Sequence, residues 1–250
     1  MVILKMSREI AKMRQAGRIS QRALQAAGKA VEPGVSTYEI DCIVREYIEK
    51  QGAVPSFLGY GGFPASACIS VNNVVIHGIP SKSEILKQGD IVSIDVGAYF
   101  EGYHGDNAWT FPCGDISKEA QRLIDTTKES LFEGIKQAIS GNRIGDIGHA
   151  VQEYAEARSY SVVRKFVGHG VGAKLHEDPS VPNYGMSGKG IRLLPGMTIA
   201  IEPMINQGTH QVRVLNDGWT TVTADGKLSA HFEHTVAITP DGTVILTSAD

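Results

Sequence analysis

The stretch Ile91-Val92-Ser93-Ile94-Asp95-Val96-Gly97-Ala98-Tyr99-Phe100-Glu101-Gly102-Tyr103-His104-Gly105-Asp106-Asn107-Ala108-Trp109-Thr110-Phe111 decides the architecture. Its β-branched and aromatic residues recur with a period of two, and Glu101-Gly102 interrupts them with the glycine that a tight hairpin turn needs. A two-residue turn there sets Phe100 opposite Tyr103 and therefore Asp106 opposite Gly97. Asp95 then lies two residues along the same face. Two carboxylates on one face of an apolar hairpin repel each other and lose their hydration. A divalent cation is the compact remedy, and the plainer alternative pairs one acid with Lys or Arg and leaves the other partly exposed. The hairpin taken alone favours the plainer reading.

Working outward, Ser7 is a candidate N-cap for a helix whose apolar positions Ile10, Met13, Gly17 and Leu24 run until Val31-Glu32-Pro33-Gly34 stops them. Ser36-Thr37-Tyr38-Glu39 has the capping-box form and opens a second helix through Ile40, Ile43, Val44, Tyr47 and Ile48, with Gly52 as terminator. After the hairpin the order begins again. Ser117 to Ala138 is helical in pattern, Gly141-Asn142 breaks it, and Asp146 caps a further helix through Ile147, Val151 and Tyr154, followed by strands at 197–202 and 231–238. A shift of 107 carries Gly34 to Gly141, Ile40 to Ile147, Val44 to Val151, Glu46 to Glu153, Tyr47 to Tyr154 and Glu49 to Glu156. The same shift carries Gly89 to Gly196, Ile94 to Ile201 and Asp95 to Glu202. The expectation is an α+β chain, a single domain over 1–250, built of two helix-helix-strand halves at about 7–112 and 117–250. A pseudo-twofold relates the halves around a central antiparallel sheet, with a site between them.

The second half alters the reading of the acids. Glu202 matches Asp95, and Glu233, in His231-Phe232-Glu233-His234-Thr235, is expected in the strand that returns beside it. These two are 31 residues apart rather than 11, so the second hairpin carries an extra loop, which contains Trp219. Four acids supplied by two hairpins call for two divalent ions, and oxygen-rich ligation suits Mn(II), Fe(II) or Co(II). His169 sits in Gly168-His169-Gly170-Val171-Gly172, where small neighbours let a ligand approach. His77 and His176 each head a His-x-x-Pro segment. Each of the three precedes an acidic strand, whereas His104, His149, His210, His231 and His234 have no such setting and read as structural or solvent-facing.

Composition bounds the function. With 250 residues, 42% hydrophobic and 20% charged, the chain reads as a globule able to bury its own core. Its 24 Lys+Arg against 27 Asp+Glu, net -3, argue against nucleic acid as the primary ligand. Cys42, Cys68 and Cys113 show no zinc or disulfide spacing, which favours free thiols in a reducing, cytoplasmic setting. No apolar run has membrane length, and the first residues lack the apolar stretch of a signal peptide.

In order along the chain, Asn72-Asn73-Val74-Val75-Ile76-His77-Gly78-Ile79-Pro80, Ser93-Ile94-Asp95-Val96-Gly97, Gly105-Asp106, Gly168-His169-Gly170, His176-Glu177-Asp178-Pro179, Ile201-Glu202-Pro203 and Phe232-Glu233-His234-Thr235 resemble the bacterial, type I methionine aminopeptidase family, whose fold is the pita-bread fold. The resemblance implies five metal ligands at Asp95, Asp106, His169, Glu202 and Glu233, with Asp106 and Glu233 shared between two divalent ions of cobalt, manganese, iron, zinc or nickel. It implies that His77 contacts the scissile amide nitrogen, that His176 stabilises the oxygen of the tetrahedral intermediate, and that Glu202 also carries the proton from the attacking water to the leaving amine. A sodium or potassium ion is expected on the carbonyls of Asn72 and Val74 near Ser229. The side-chain pocket is expected from Phe57, Tyr60, Phe63, Cys68, Leu175 and Trp219. Two of these depart from the usual family pattern, which commonly has Cys at the position of Phe57 and Phe at that of Leu175.

The implied activity is removal of the initiator methionine from nascent chains and peptides whose second residue is small, by a hydroxide held between the metals. The implied protein is a cytoplasmic monomer that meets the nascent N-terminus, with the ribosome as a partner and no membrane. Proline-specific relatives carry an extra N-terminal domain, and type II enzymes a helical insert in the second half. A metal-free binding module would have lost at least one ligand. None of these patterns matches the chain.

Overall fold

Each helix starts where a side chain can satisfy its first free N–H groups. In the computed structural model, which describes residues 1–248, α1 runs Ser7–Lys29, α2 Thr37–Lys50, α3 Lys118–Gln137 and α4 Ile144–Glu156. The Ser36 hydroxyl accepts from Glu39 N at 3.2 Å and the Glu39 carboxylate accepts from Ser36 N at 2.8 Å, so the expected capping box forms. Gly52, just past α2, has φ +71°, open to glycine at little cost. Ser117 caps α3 through Ala120 N at 3.1 Å.

Two expected caps move. Met6, not Ser7, is the N-cap of α1, and because methionine offers no oxygen the Glu9 carboxylate accepts from Met6 N at 2.7 Å instead. Arg143, not Asp146, is the N-cap of α4. Asp146 sits inside the first turn, where its carboxylate accepts from Arg143 N at 2.7 Å and from Ser187 Oγ and Gly188 N at 2.6 Å. An acid there still faces the positive end of the helix, and its reach to residues 187–188 ties the helix start to a distant loop.

The strands follow in chain order as β1 Val54–Pro55, β2 Ala67–Val71, β3 Val74–Ile76, β4 Ile91–Phe100, β5 Tyr103–Pro112, β6 Ser161–Val162, β7 Gly168–Gly170 and β8 Glu177–Val181. They continue as β9 Thr198–Ile201, β10 Met204–Asn206, β11 Val212–Val214, β12 Thr221–Thr223, β13 Ser229–His231, β14 His234–Thr239 and β15 Gly242–Ile245. All their pairings are antiparallel. The β4–β5 hairpin has the predicted register, Gly97 opposite Asp106 and Phe100 opposite Tyr103, with Glu101 and Gly102 at φ +48° and +91°.

The central sheet is divided into four hydrogen-bonded pieces. One holds β1-β4-β2 with β5 on β4, one β15-β14-β9-β7-β8, and two smaller ones β13-β10-β6 and β11-β12-β3. The seam between the first two is where the acids gather. Thr235 Oγ1 donates to Asp106 O at 2.8 Å, Glu233 N donates to Ala108 O at 2.8 Å, and Thr110 Oγ1 donates to His231 O at 2.9 Å. Glu233 is therefore not inside a strand as expected. It occupies the break between β13 and β14, because its backbone pairs with β5 while β14 begins its pairing to β9 at His234.

Apolar burial supports this seam from both sides. One cluster joins α1 and α2 to β2 and β4 through Leu24, Ile40, Val44, Ile48, Ile69, Ile94 and Val96. Another joins α3 and α4 to β9 and β14 through Leu123, Leu131, Ile147, Ile199, Ile201, Val236 and Ile238. Helix α1 approaches β5 so closely that a Cβ on Gly105 would stand 2.4 Å from Gly17 N and 2.5 Å from Gly17 Cα. Backbone cannot move aside as a side chain can, so Gly105→Ala is expected to cost about 3 kcal/mol, the upper end of overpacking penalties. Urea unfolding measures it, and an unchanged midpoint contradicts the close approach.

Candidate metal centre

The loop after β9, the seam on β5 and the hairpin β7–β8 bring their polar side chains to one cavity of about 360 Å³. Asp95, Asp106, His169, Glu202 and Glu233, the five residues expected as ligands, all line it, as do His77 and His176. The nearest set is Asp106, His169 and Glu233, each offering a ligand atom within 4.8 Å of the others. Glu202 Oε1 lies 3.5 Å from His169 Nε2, and Asp106 Oδ2 lies 3.8 Å from the same nitrogen. Backbone bonds hold these residues: Asp106 N and O both bind Thr235 Oγ1, and Glu202 O accepts from Asn183 Nδ2 at 3.0 Å. His169 Nδ1 lies 2.8 Å from Gly170 O, leaving Nε2 toward the acids.

The electrostatics are those of a site built for cations. Burial pushes the Asp95 carboxyl well above its ordinary range, and the charges of Asp106 and Glu202 add to it. Burial and the charge of Asp106 raise Glu202, and burial with the charges of Asp106, Glu202 and Asp95 raises Glu233. Asp106 is pushed up to about 7 by burial. Asp95 Oδ1, Asp106 Oδ1 and Glu233 Oε1 are buried without a hydrogen-bond partner. Clustered carboxylates with orphaned oxygens are costly in a folded protein unless cations complete them, and an acid-rich set with one imidazole is the donor chemistry of divalent metals. The residues fit divalent metal binding.

The imidazoles match this setting. Burial and the neighbouring His176 lower His169 to about 3 and His77 to about 4, so both are neutral at physiological pH, the form in which an imidazole nitrogen can bind a metal. The His169 and His176 rings stand 4.0 Å apart, and His176 Nδ1 lies 2.8 Å from Tyr60 Oη. His77 has φ +58°, and the next residue must be glycine because a Cβ on Gly78 would fall 2.1 Å from Ile69 O.

The apolar end of the cavity holds all six residues expected there. Phe57, Phe63, Cys68 and Leu175 pack with Ala65, with Trp219 and Ile79 against them, and Tyr60 closes the side next to His176. Burial raises the Cys68 thiol well above its usual range, with the charge of Asp95 adding to it, so the sulfur acts as a small apolar group. The extra loop of the second hairpin supplies Trp219: β11 pairs with β12 and β12 with β3, and Asp217 Oδ1 accepts from Trp219 N and Thr220 N at 2.8 Å. Away from the cavity, Ser229 N donates to Asn72 O at 2.9 Å, with Val74 on β3 two residues on from Asn72, so the three residues expected around a monovalent cation are neighbours.

Several cavity residues were not foreseen. Ile76, Lys165, Phe166 and Val167 line it, and Phe166 meets His77 edge to face at 5.8 Å. His231, read from sequence as structural or solvent-facing, is 2% exposed with Nε2 3.8 Å from Glu202 Oε2 and no hydrogen-bond partner at that nitrogen. Its one sequence signal was its place two residues before Glu233.

With this geometry in view, the class of the protein follows. Residues 11–240 match the model of metallopeptidase family M24, and the chain belongs to that family. Its place within the family is with the methionine aminopeptidases. It is 54% identical over 247 residues to methionine aminopeptidase 1 of Bacillus subtilis, covering 99% of both chains. It is 57% identical to methionine aminopeptidase of Clostridium perfringens, with the same coverage. The crystal structure of methionine aminopeptidase from Thermotoga maritima superposes with a TM-score of 0.98 at 45% identity, over 99% of this chain and 100% of that one. The prolidase from Pyrococcus horikoshii, at 23% identity and a TM-score of 0.79, shares the fold, and this chain spans 64% of its length.

Proposed function

We propose that this protein removes the N-terminal methionine from peptides and nascent chains whose second residue is small, with Asp95, Asp106, His169, Glu202 and Glu233 holding two divalent ions. The observation that carries this reading is the meeting of four acids and His169 with an apolar pocket in one cavity. When bound, the ions supply Lewis acidity, polarising the peptide carbonyl and making water a stronger nucleophile near neutral pH.

The chain's own residues supply the rest. Phe57, Phe63, Cys68, Leu175 and Trp219 enclose a slot for a flexible apolar side chain, and sulfur gains from contact with aromatic rings. Glu202, buried beside His169 and His231, takes the proton of the attacking water and returns it to the leaving amine. His176, with Nδ1 engaged by Tyr60, presents Nε2 to the substrate carbonyl oxygen, and neutral His77 meets the scissile amide nitrogen. The two halves, about 7–112 and 117–250, each contribute acids to the seam. The three cysteines stand unpaired, which supports a reducing, cytoplasmic setting.

Metal-stripped protein titrated with Mn(II), Fe(II), Co(II) or Zn(II) against Met-Ala-Ser and Ala-Pro tests the reading. Metal-dependent release of methionine from the first peptide is expected. Release with no metal present, or cleavage of the proline peptide alone, overturns it.

A further inference from the structure

Lys5, in the segment before α1, is buried against Glu177. Its Nζ lies 2.5 Å from Glu177 Oε2, with the side chains 3% and 5% exposed. By contrast Lys12–Glu101, Arg45–Glu49, Lys136–Glu133 and Arg164–Glu156 are surface pairs whose side chains are at least 35% exposed. Burying two charges sacrifices their hydration, so such a pair is better explained by what it holds in place than by the stability it adds.

What it holds is the hairpin of the two histidines. Glu177 pairs with Gly170 across β7–β8, and so lies next to His176 in sequence and opposite the neighbour of His169. Its second oxygen accepts from Lys174 N at 3.1 Å, closing the turn that leads into His176. Lys5 is itself anchored, with its N donating to Gly196 O at 2.7 Å and its Nζ to Ile3 O at 3.1 Å. The packing leaves no slack, since a Cβ on Gly172 would stand 2.4 Å from Glu177 Oε1 and 2.6 Å from Lys5 Cε.

We propose that Lys5 is a positioning residue which, through Glu177, fixes the β7–β8 hairpin so that His169 and His176 face the four acids together. The proposal rests on the reading above, in which those two histidines serve the reaction. Neither Lys5 nor Glu177 touches substrate in it.

The test compares full-length wild type with Lys5→Met, which keeps the apolar stem, and Lys5→Arg, which keeps the charge. At saturating Mn(II), Lys5→Met is expected to lower kcat for Met-Ala-Ser at least about tenfold with KM within about threefold, and Lys5→Arg to recover kcat to within about threefold. In metal-free protein, histidine-ring 1H–15N NMR is expected to show the His169 and His176 signals moved by Lys5→Met and those of exposed His149 and His210 unmoved. If Lys5→Met does not fold, Glu177→Asp, which keeps the charge and shortens its reach, carries the same two measurements. A folded variant with wild-type kcat and unmoved His169 and His176 signals overturns the proposal. Wild type that releases no methionine with any metal defeats the functional reading instead, and the ring signals then decide the positioning role alone.

Discussion

Glu202→Gln is expected to reduce kcat for methionine release from Met-Ala-Ser by about 10³-fold or more. The substitution keeps size and one oxygen but removes the group that accepts a proton, and positioned acid–base groups contribute roughly 10²–10⁴-fold. It also takes one negative charge from the cluster of acids, at a carboxylate whose oxygens lie 3.5 Å from His169 Nε2 and 3.8 Å from His231 Nε2. Metal affinity should therefore fall as well, by tens of fold, which isothermal titration with Mn(II) measures separately from turnover. The kinetic loss must persist when Mn(II) is raised until the variant is fully loaded. Recovery to within tenfold of wild type under those conditions would mean that Glu202 is a ligand only and that another group moves the proton.

The second large effect is on stability, in metal-stripped protein between about pH 7.5 and 9. A carboxyl whose folded-state pKa lies above its unfolded value holds its proton longer when folded, so its contribution is full below the unfolded pKa and is lost as pH rises through the folded one. Asp106 moves from 3.8 to about 7, and Asp95, Glu202 and Glu233 are also raised, all by burial first. The buried histidines act in the opposite sense. His77, His169 and His231 are lowered to about 4, 3 and 3, so their contribution is present above the ordinary imidazole value of 6.5 and is lost as pH falls below it.

From about pH 7.5 the histidines are neutral in both states and the acids alone set the slope, whereas nearer pH 6.5 the histidines of the unfolded chain still hold protons and oppose it. Each retained proton is worth about 1.4 kcal/mol per pH unit. One or two of them across this window amount to about 2–4 kcal/mol, or a fall in Tm of roughly 10 °C for a chain of this size. Saturating Mn(II) should abolish the fall, because the ions hold the carboxylates ionised, and the rise in Tm on adding metal should grow with pH. Asp106→Asn should flatten the slope of the stripped protein. Thermal melts at several pH values decide it, and a stripped protein whose Tm is level or rises from about pH 7.5 to 9 contradicts the clustering of the acids.

Much of this site was legible because its information is local. The register of β4–β5 follows from a two-residue turn and a period of two, so the placement of Asp106 opposite Gly97 needed only residues 91–111. The capping box at Ser36 and Glu39 lies within four residues, and it forms as written. Where a local rule had two solutions, the chain took the other one. Glu9 and Asp146 satisfy their helix starts from the first turn, which left Met6 and Arg143 as the N-caps.

The amino-acid sequence by itself determined the helices, the hairpin register, and the identity of the four acids, of His77, His169 and His176, and of six residues at the apolar end of the cavity. Tertiary structure alone decided how they meet. The pairing of Glu233 with Ala108 across the seam took Glu233 out of a regular strand. The approach of His231 to Glu202 and of Phe166 to His77 brought in residues with no motif of their own. The Lys5–Glu177 pair joins positions 172 apart in the chain. The physical reason is one of range. Turns, caps and strand periods are settled by neighbours a few residues away, whereas burial, charge clustering and long-range pairs exist only after the sheets and helices have packed, and no spacing along the chain encodes those distances.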